Sequence, residues 1–249
     1  MTGVVVVTGG SRGIGAATAR GAGRRGYKVC VNYQRDGKAA AKVAGDINDA
    51  GGEAVCVHAD VSVEADVVRL FREVDQELGP VTALVNNAGV IGGPVRRVED
   101  ITAEQLSRML AVNVTGAFLC AREAVRRMST AHEGAGGAIV NVSSVAARLG
   151  SANLYVDYAA TKGAIDTFTI GLAREVADEG IRVNAVRPGV IETDIHVCAG
   201  DPDRPAKIAH EIPMQRAGTA VEVAEAILWL LSDEAAYVSG AILDVSGAR

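Results

Sequence analysis

Short runs of valine and isoleucine alternate with longer segments of helical period along the whole chain, and this order constrains the fold more than any other feature. Several of the short runs are apolar at successive positions, which is typical of strands covered on both faces. The seven predicted strands are Val4–Thr8, Lys28–Asn32, Ala54–His58, Ala83–Asn86, Ala138–Val142, Arg182–Val186 and Ala241–Val245. The six predicted helices are Ile14–Arg25, Gly37–Ala50, Glu64–Leu78, Ala103–Met128, Tyr155–Asp178 and Ala220–Leu231. Residues of the N-cap type precede three of them, at Ser62, Thr102 and Thr219.

Strand and helix alternate six times and a strand closes the series, which predicts an α/β fold. Parallel strands joined by right-handed crossovers place helices on both faces of one open sheet. Ligands of such sheets bind at the carboxyl ends of the strands. No linker or internal repeat interrupts the 249 residues, and Gly134–Gly137 reads as a short loop. We therefore expect a single domain over residues 1–249.

Charge and composition argue against several classes of protein. The formal net charge is -5 and the arginines are scattered, so the basic surface of a nucleic-acid binder is not expected. No apolar run approaches the ~18 residues that span a bilayer, and no charged leader precedes the first strand. These features predict a cytoplasmic protein that binds neither nucleic acid nor membrane.

Cysteine and histidine positions indicate neither disulfides nor a metal site. The cysteines form no CxxC or paired framework, which suits a reducing compartment, and we expect them to be buried small hydrophobes. They are Cys30, Cys56, Cys120 and Cys198. The histidines show no metal-ligand spacing, so no metal is expected. They are His58, His132, His196 and His210.

A glycine-rich segment follows the first predicted strand and opens the first predicted helix. Its glycines permit a tight turn and a close approach of the backbone to a pyrophosphate, whose charge the helix N-terminus favours. The spacing is GxxxGxG rather than the GxGxxG of the standard dinucleotide fingerprint. The segment contributes the candidate cofactor residues Gly9, Ser11, Arg12, Gly13, Ile14 and Gly15.

Tyr158 and Lys162 are four residues apart on a predicted helix and therefore share one face. Transfer of a proton to or from a carbonyl oxygen needs a positioned acid or base, and a neighbouring ammonium favours the phenolate. We therefore expect Lys162, together with an oxidised nicotinamide, to lower the pKa of Tyr158 from its ordinary value of about 10. Tyr155 has Ala159 at the corresponding position, so it is expected to pack against the sheet or to shape the substrate mouth.

The glycine spacing, the Asn86-Asn87-Ala88-Gly89 segment after the fourth strand, and the pair Tyr158 and Lys162 together resemble the short-chain dehydrogenase/reductase family. The resemblance covers essentially the whole chain. It implies a doubly wound Rossmann domain with seven parallel strands in the order 3-2-1-4-5-6-7. It also implies an NAD(P)-dependent oxidoreductase that acts on a small alcohol or carbonyl compound. It further implies a homotetramer, in which Ala103–Met128 and Tyr155–Asp178 pack across one twofold axis.

The resemblance also assigns roles to individual residues. The implied catalytic residues are Asn113, Ser144, Tyr158 and Lys162, with Tyr158 as general acid and base, Ser144 on the substrate oxygen and Asn113 supporting a water of the proton relay. Lys162 is also implied to bind the nicotinamide ribose. The remaining implied cofactor contacts are Asp60 and Val61 at the adenine, Asn87, Ala88 and Gly89 at the ribose, and Pro188, Gly189, Ile191 and Thr193 around the carboxamide.

Two finer expectations concern the loop that follows the fifth strand. Ser143 is expected to be structural, because the resemblance places the catalytic hydroxyl on Ser144. Ser144 precedes Tyr158 by 14 residues, about one more than the family pattern, which suggests a small insertion between Arg148 and Asp157.

The choice of cofactor is predicted from the end of the second strand. NAD enzymes usually place a carboxylate there for the adenine ribose, whereas this chain has Asn32 and Tyr33. Asp36 is expected to cap the next helix instead. Arg35 and Arg12 are placed to bind a 2'-phosphate through charge-assisted hydrogen bonds. The sequence thus favours NADP(H), with NAD(H) as the alternative if both arginines are only solvated charges.

Alternatives to a sugar, polyol or ketone oxidoreductase remain at this point. From Asp157 to Thr193 the chain also resembles a 3-oxoacyl-carrier-protein reductase. Carrier proteins are acidic, however, and the segments Glu133–Gly137 and Asp178-Glu179 offer no basic patch to bind one. A dinucleotide-sensing regulator would not need the catalytic set. The variable segment Glu192–Met214 is expected to hold most of the substrate specificity. Its stretch Asp201–Pro205 is typical of a mobile polar lid, and equally of a passive surface loop.

Overall fold

The computed structural model describes residues 3–93, 95–194 and 200–249. Its strands are β1 (Val4–Val7), β2 (Lys28–Tyr33), β3 (Glu53–His58), β4 (Val81–Asn86), β5 (Gly137–Val142), β6 (Ile181–Pro188) and β7 (Ile242–Val245). They form one parallel sheet in the order β3-β2-β1-β4-β5-β6-β7. The predicted strand order is confirmed.

Helices connect the strands and cover the sheet. The α-helices are α1 (Gly13–Arg24), α2 (Gly37–Asp49), α3 (Glu64–Glu77), α4 (Ala103–Leu110), α5 (Gly116–Met128), α6 (Ala146–Leu149), α7 (Val156–Glu175), α8 (Arg204–Lys207) and α9 (Ala220–Leu231). A π-helical turn at Ala111–Thr115 joins α4 to α5. Short 3-10 helices lie at Val98–Asp100, Thr130–His132, Ala209–Glu211 and Asp233–Ala235.

Each face of the sheet carries its own apolar core. Val5 and Val7 of β1 pack in a cluster with α1, α2 and α9, whereas Val4 and Val6 pack in a second cluster with α3, α5 and α7. All four valines are buried. Burial of each such side chain contributes about 1.5–3 kcal/mol. The two-sided burial explains why the strands read as continuous apolar runs rather than as alternating ones.

Three local predictions were wrong. The helix predicted at Ala103–Met128 is interrupted by the π-helical turn. Ser62 does not cap α3: Val63 holds the cap position without a side-chain hydrogen bond, and the Ser62 hydroxyl donates to Asp60 Oδ1 at 2.6 Å. Cys56 is exposed because β3 is an edge strand of the sheet.

The other predicted caps are present. Thr102 and Thr219 each form a capping box, with Gln105 and Glu222 as the reciprocal residues. Asp36 caps α2 by accepting a hydrogen bond from Ala39 N at 2.9 Å. This bond commits the Asp36 carboxylate to the start of the helix, as the sequence predicted.

The described ranges contain neither a membrane-spanning helix nor a cluster of metal ligands. Within 3–93, 95–194 and 200–249, no helix combines the length and the apolar character that crossing a bilayer requires. The same ranges hold no group of three or more histidine, cysteine or acidic side chains arranged for a metal ion. Cys198 and His196 lie outside the described residues.

Candidate active site

Two adjoining cavities open at the carboxyl ends of the strands. The first, which we call the catalytic pocket, is lined at its centre by Ser144, Tyr158 and Lys162. The second, the nucleotide groove, runs along Gly13 and Asp60. Their walls contain the predicted residues Gly9, Ser11, Arg12, Gly13, Ile14, Asn32, Tyr33, Arg35, Asp60, Val61, Asn87, Ala88, Gly89, Ser144, Tyr158, Lys162, Pro188, Gly189, Ile191 and Thr193.

Gly15 and Asn113 are the two predicted residues that do not line either cavity. A Cβ at Gly15 would lie 2.4 Å from the Gly9 carbonyl oxygen and 2.5 Å from Asn87 Nδ2, so only glycine fits there. Gly9 and Gly13 have φ values of 60° and 53°, a region that favours glycine. The glycines are therefore required by the loop itself, before any ligand is considered.

The start of α1 suits an anionic ligand. Arg12 holds its cap position without a side-chain hydrogen bond, so no capping side chain competes for the first N–H groups of this 12-residue helix. Those groups and the helix dipole favour a phosphate. Together with the glycine loop that lies against Asn87, this arrangement fits the pyrophosphate of a dinucleotide.

Side chains of β1, β2 and β4 hold the glycine loop in place. The Thr8 hydroxyl donates to Val85 O at 3.2 Å and accepts from the N–H groups of Asn87 and Ala88, both at 3.0 Å. Asn87 Nδ2 donates to Gly9 O at 3.0 Å. The sequence analysis missed Thr8, although its place immediately before Gly9 is a usable signal.

Asn32 also supports the loop. Its Oδ1 accepts from Gly9 N at 3.2 Å, and its Nδ2 donates to Val57 O and Ala59 O at 3.3 and 3.1 Å. The side chain is 2% exposed. Asn32 thus lies beside the groove, but its amide atoms are bonded to the protein.

The predicted adenine end of the groove is organised around Asp60. Its carboxylate accepts from the hydroxyl and the N–H of Ser62, from Gln34 Nε2 at 3.0 Å and from Arg108 at 3.3 Å. Burial disfavours the carboxylate, but the Ser62 hydrogen bonds and the Arg108 charge outweigh it and lower the pKa of Asp60. The Asp60 side chain is therefore held charged and oriented by three neighbours.

The catalytic pocket brings Ser144, Tyr158 and Lys162 together. Ser144 follows β5, and its hydroxyl hydrogen-bonds the hydroxyl of half-buried Tyr158. Lys162 Nζ lies 5.6 Å from the centre of the Tyr158 ring and donates to Val142 O at 2.7 Å. The spacing of four residues on α7 does place both side chains in one pocket.

Burial governs the ionisation of this pair in the protein alone. Burial raises the pKa of Tyr158 to about 12, and the hydrogen bond from Ser144 opposes the shift only in part. Burial lowers the pKa of Lys162 to about 8, against the opposing charge of Asp166. In the protein alone, the Lys162 ammonium does not lower the pKa of Tyr158, because removal of both groups from water favours their neutral forms.

Asn113 lies behind the pocket in the π-helical turn, a feature common at functional sites. Its Oδ1 accepts from Val90 N at 2.8 Å, and its Nδ2 donates to Val90 O at 2.9 Å and to Thr161 Oγ1 at 3.1 Å. Asn113 therefore ties the loop after β4 to α7. Ser143 has a comparable supporting place, since its hydroxyl donates to Lys162 O at 3.2 Å.

A buried ion pair next to Tyr158 was not predicted. Arg96 pairs with Asp157, and the two side chains are 7% and 2% exposed. Asp157 Oδ1 also accepts from Tyr158 N at 2.9 Å. Arg96 N donates to Leu154 O at 3.1 Å, so the loop after β4 is fixed to the start of α7 at two points. The two partners are 61 residues apart, and no local pattern marks them.

Comparison with known proteins places the chain in a family. The family model described as enoyl-(acyl carrier protein) reductase matches residues 9–247. The uncharacterized oxidoreductase YgfF of Escherichia coli is 55% identical over 99% of both chains. The 3beta-hydroxysteroid dehydrogenase 1 of Eggerthella lenta is 40% identical over 98% of this chain and 92% of that protein.

A solved structure is also similar to this chain over nearly its whole length. A phenylalanine-to-tyrosine double mutant of the Serratia marcescens short-chain dehydrogenase/reductase superposes with a TM-score of 0.90 at 31% identity, covering 99% of this chain and 97% of that one. Fold and site define a Rossmann oxidoreductase. The chain belongs to the short-chain dehydrogenase/reductase family.

The Arg96–Asp157 pair generates a stability prediction. Arg96→Met leaves the Asp157 carboxylate buried without its cation, so we expect a loss of about 3–5 kcal/mol in the free energy of unfolding. Urea denaturation monitored by circular dichroism measures the loss. Arg97→Met is the matched control, because Arg97 is 63% exposed and pairs with exposed Glu99; it should change stability by less than about 1 kcal/mol. Equal losses in both variants would contradict the prediction.

Proposed function

We propose that this protein transfers a hydride between a nicotinamide cofactor and a small alcohol or carbonyl compound, such as a sugar, a polyol or a ketone. The whole chain acts as one dinucleotide-binding and catalytic domain. The observation that carries the proposal is the meeting of Ser144, Tyr158 and Lys162 beside a glycine loop and an uncapped helix N-terminus. Family membership supports an oxidoreductase that acts on a carbonyl or alcohol group.

The groove and the pocket divide the cofactor between them in this proposal. The glycine loop and α1 hold the pyrophosphate, and Asp60 and Val61 border the adenine. A ribose is bordered by Asn87, Ala88 and Gly89. Pro188 to Thr193 border the carboxamide. When bound, the nicotinamide supplies or accepts the hydride at the carbonyl carbon.

The side chains of the pocket act on the substrate oxygen. In reduction, the Tyr158 hydroxyl donates its proton to the oxygen as the carbonyl carbon gains the hydride, and the Ser144 hydroxyl holds the same oxygen by a hydrogen bond. The Lys162 ammonium stabilises the phenolate left on Tyr158. In oxidation, the phenolate takes the proton back from the alcohol. Asn113 is assigned to the support of a relay water.

Acyl-carrier substrates are less well supported. The matching family model is described by enoyl reduction, which adds a proton to carbon, whereas Ser144 and Tyr158 are paired to hold an oxygen. The exposed carboxylates of Glu133 and Asp178 would repel an acidic carrier protein. A regulator without turnover would have no use for the Ser144–Tyr158–Lys162 set.

A homotetramer is also part of the proposal. Large apolar side chains are exposed on α4, α5 and α7, and Phe118 stacks on Phe168 with ring centres 3.7 Å apart. The exposed residues are Leu106, Leu110, Phe118 and Ile170. Such a surface suits burial between copies of the chain.

The preferred cofactor is proposed to be NADP(H). Arg12 and Arg35 are exposed on the wall of the nucleotide groove, and neither forms an ion pair within the described ranges. Asp36 lines the same wall, but its carboxylate caps α2. This arrangement favours a 2'-phosphate over a free ribose hydroxyl. If Arg12 and Arg35 do not reach the 2'-phosphate, NAD(H) is used as well.

Tyr158→Phe tests the catalytic assignment. The substitution removes the proton donor and leaves the ring, so we expect kcat to fall by about 100- to 10,000-fold with little change in cofactor affinity. Steady-state kinetics with a reducible ketone and calorimetric titration of the cofactor measure the two effects. Tyr237→Phe, at a fully exposed tyrosine, is the control. A wild-type rate for Tyr158→Phe would overturn the assignment.

The pH dependence of reduction tests the role of Lys162. With its pKa lowered to about 8 by burial, Lys162 loses its charge as pH rises through that value, while Tyr158 stays protonated up to about 12. We therefore expect kcat/KM for reduction to fall above about pH 8. Lys162→Arg keeps the charge and should remove this decline, and Lys162→Met should reduce both turnover and cofactor affinity. A decline that persists unchanged in Lys162→Arg would assign it to another group.

Cofactor preference is tested at Arg35. Arg35→Ala removes a charged donor, so the ratio of kcat/KM for NADPH to that for NADH should fall by roughly 10-fold or more. Lys38→Ala is the control, because Lys38 is an exposed cation that does not line the groove. An unchanged ratio in Arg35→Ala, or a wild-type preference for NADH, would contradict the two-arginine account.

A further inference from the structure

The charges of the catalytic pocket differ in sign from those of the chain as a whole. The chain has a formal net charge of -5. The described residues that line the pocket nevertheless include no aspartate or glutamate, and their charged members are Lys162, Arg204 and Arg249. Apolar side chains make up much of the remaining wall, among them Ile91, Leu149, Leu154 and Val190.

Within the described part of the chain, the Arg204 guanidinium has no ion-pair or hydrogen-bond partner. It begins the short helix α8, is half-buried, and forms no ion pair or side-chain hydrogen bond with any residue of the described ranges. Asp201, the acid three residues before it, is paired with Lys207 at 2.5 Å. The donor fork of Arg204 is therefore available to an anionic ligand in the cavity.

Tyr155 places Arg204 close to the reacting end of the pocket. The Tyr155 ring lines the pocket three residues before Tyr158, and its buried hydroxyl has no hydrogen-bond partner in the described part of the chain. Burial raises the pKa of Tyr155. The positive charge of Arg204 opposes the shift and the carboxylate of Asp201 adds to it, so Arg204 is within electrostatic reach of Tyr155. The cation and the Ser144–Tyr158 pair therefore belong to one cavity.

The second guanidinium is a weaker candidate. Arg249 is 23% exposed, and Glu211 lies 3.5 Å away, so part of its charge is already compensated. Neither Arg204 nor Arg249 lines the nucleotide groove. The cofactor phosphates are assigned to the glycine loop, which leaves Arg204 to the substrate.

We propose that the substrate of this enzyme carries an anionic group, a carboxylate or a phosphate, that Arg204 binds while Ser144 and Tyr158 hold the reacting oxygen. An apolar stretch of the substrate lies between the two points, against Leu149 and Leu154. A guanidinium binds either anion through two parallel N–H···O bonds. Arg249 lies on the same wall and adds to the positive potential. The inference rests on the proposed function, because it assigns the reacting oxygen to Tyr158.

Paired substrates test the proposal. Straight-chain oxo acids of about five to eight carbons are compared with their methyl esters, and dihydroxyacetone phosphate is compared with dihydroxyacetone, at saturating NADPH. We expect at least one anionic member to exceed its neutral partner in kcat/KM by about 10- to 100-fold, the range for one charged hydrogen bond. The first set reports a carboxylate site and the second a phosphate site.

Variants of α8 identify the group responsible. Arg204→Gln should reduce the ratio of anionic to neutral substrate to near one, with the KM for NADPH unchanged, and Arg204→Lys should retain part of the preference. Arg216→Gln is the control, because Arg216 is 54% exposed, pairs with Glu222 rather than with Asp201, and does not line the pocket. It should keep the wild-type ratio.

The outcomes separate this inference from the proposed function. Turnover of neutral ketones without any preference for anions, or an equal effect of Arg204→Gln on both partners, would overturn the anion site and leave the oxidoreductase intact. Absence of turnover with every ketone tested would count against the proposed function instead. In that case, calorimetric titration with hexanoate and hexanamide still tests the site. Equal binding of the two, or carboxylate binding that survives Arg204→Gln, would overturn it.

Discussion

The hydrogen bonds of the Thr8 hydroxyl fix the point on which the rest of the site depends. At the carboxyl ends of β1 and β4, this one group joins Val85 O to the N–H groups of Asn87 and Ala88. The Asn87 amide then returns to Gly9 O. Crossovers leave β1 and β4 in opposite directions along the sheet, which opens a crevice there. The Thr8 and Asn87 bonds keep that crevice in one shape.

Hydrogen bonds of buried amide side chains connect the sheet to α7, the helix that holds Tyr158 and Lys162. Asn86 donates to Asn141 Oδ1 at 3.0 Å, and Asn141 donates to Thr169 of α7 at 2.9 Å. Asn113 adds a bond to Thr161 on the same helix. A buried polar group without its partner costs about 1–3 kcal/mol, so each bond disfavours any other placement of α7. Tyr158 and Lys162 are thus positioned by contacts that touch no substrate.

Sequence reasoning succeeded where structure follows from local pattern. The strands, the glycine loop and the caps at Thr102 and Thr219 each depend on neighbouring residues, whereas the strand order was implied by the family resemblance. Sequence reasoning failed where the local structure depends on a partner that is distant in the sequence. The helical period continues through residues 111–115, but Asn113 bonds the Val90 backbone and the helix widens into a π turn. The Arg96–Asp157 pair could not be predicted either, because its partners are 61 residues apart. Residue roles, the tetramer and the cytoplasmic location stay predictions.

The same burial that positions Tyr158 and Lys162 also opposes their charges. Burial raises the pKa of the phenol to about 12 and lowers the pKa of the amine to about 8, so the protein alone does not hold a phenolate at neutral pH. Tyr158 therefore keeps its proton until other charge enters the cavity. In the proposed function, an oxidised nicotinamide would bring a positive charge to the cavity, and this charge would lower the pKa of Tyr158 because opposite charge favours the ionised form. On this proposal, proton transfer at Tyr158 would be coupled to occupation of the nucleotide groove by the oxidised cofactor.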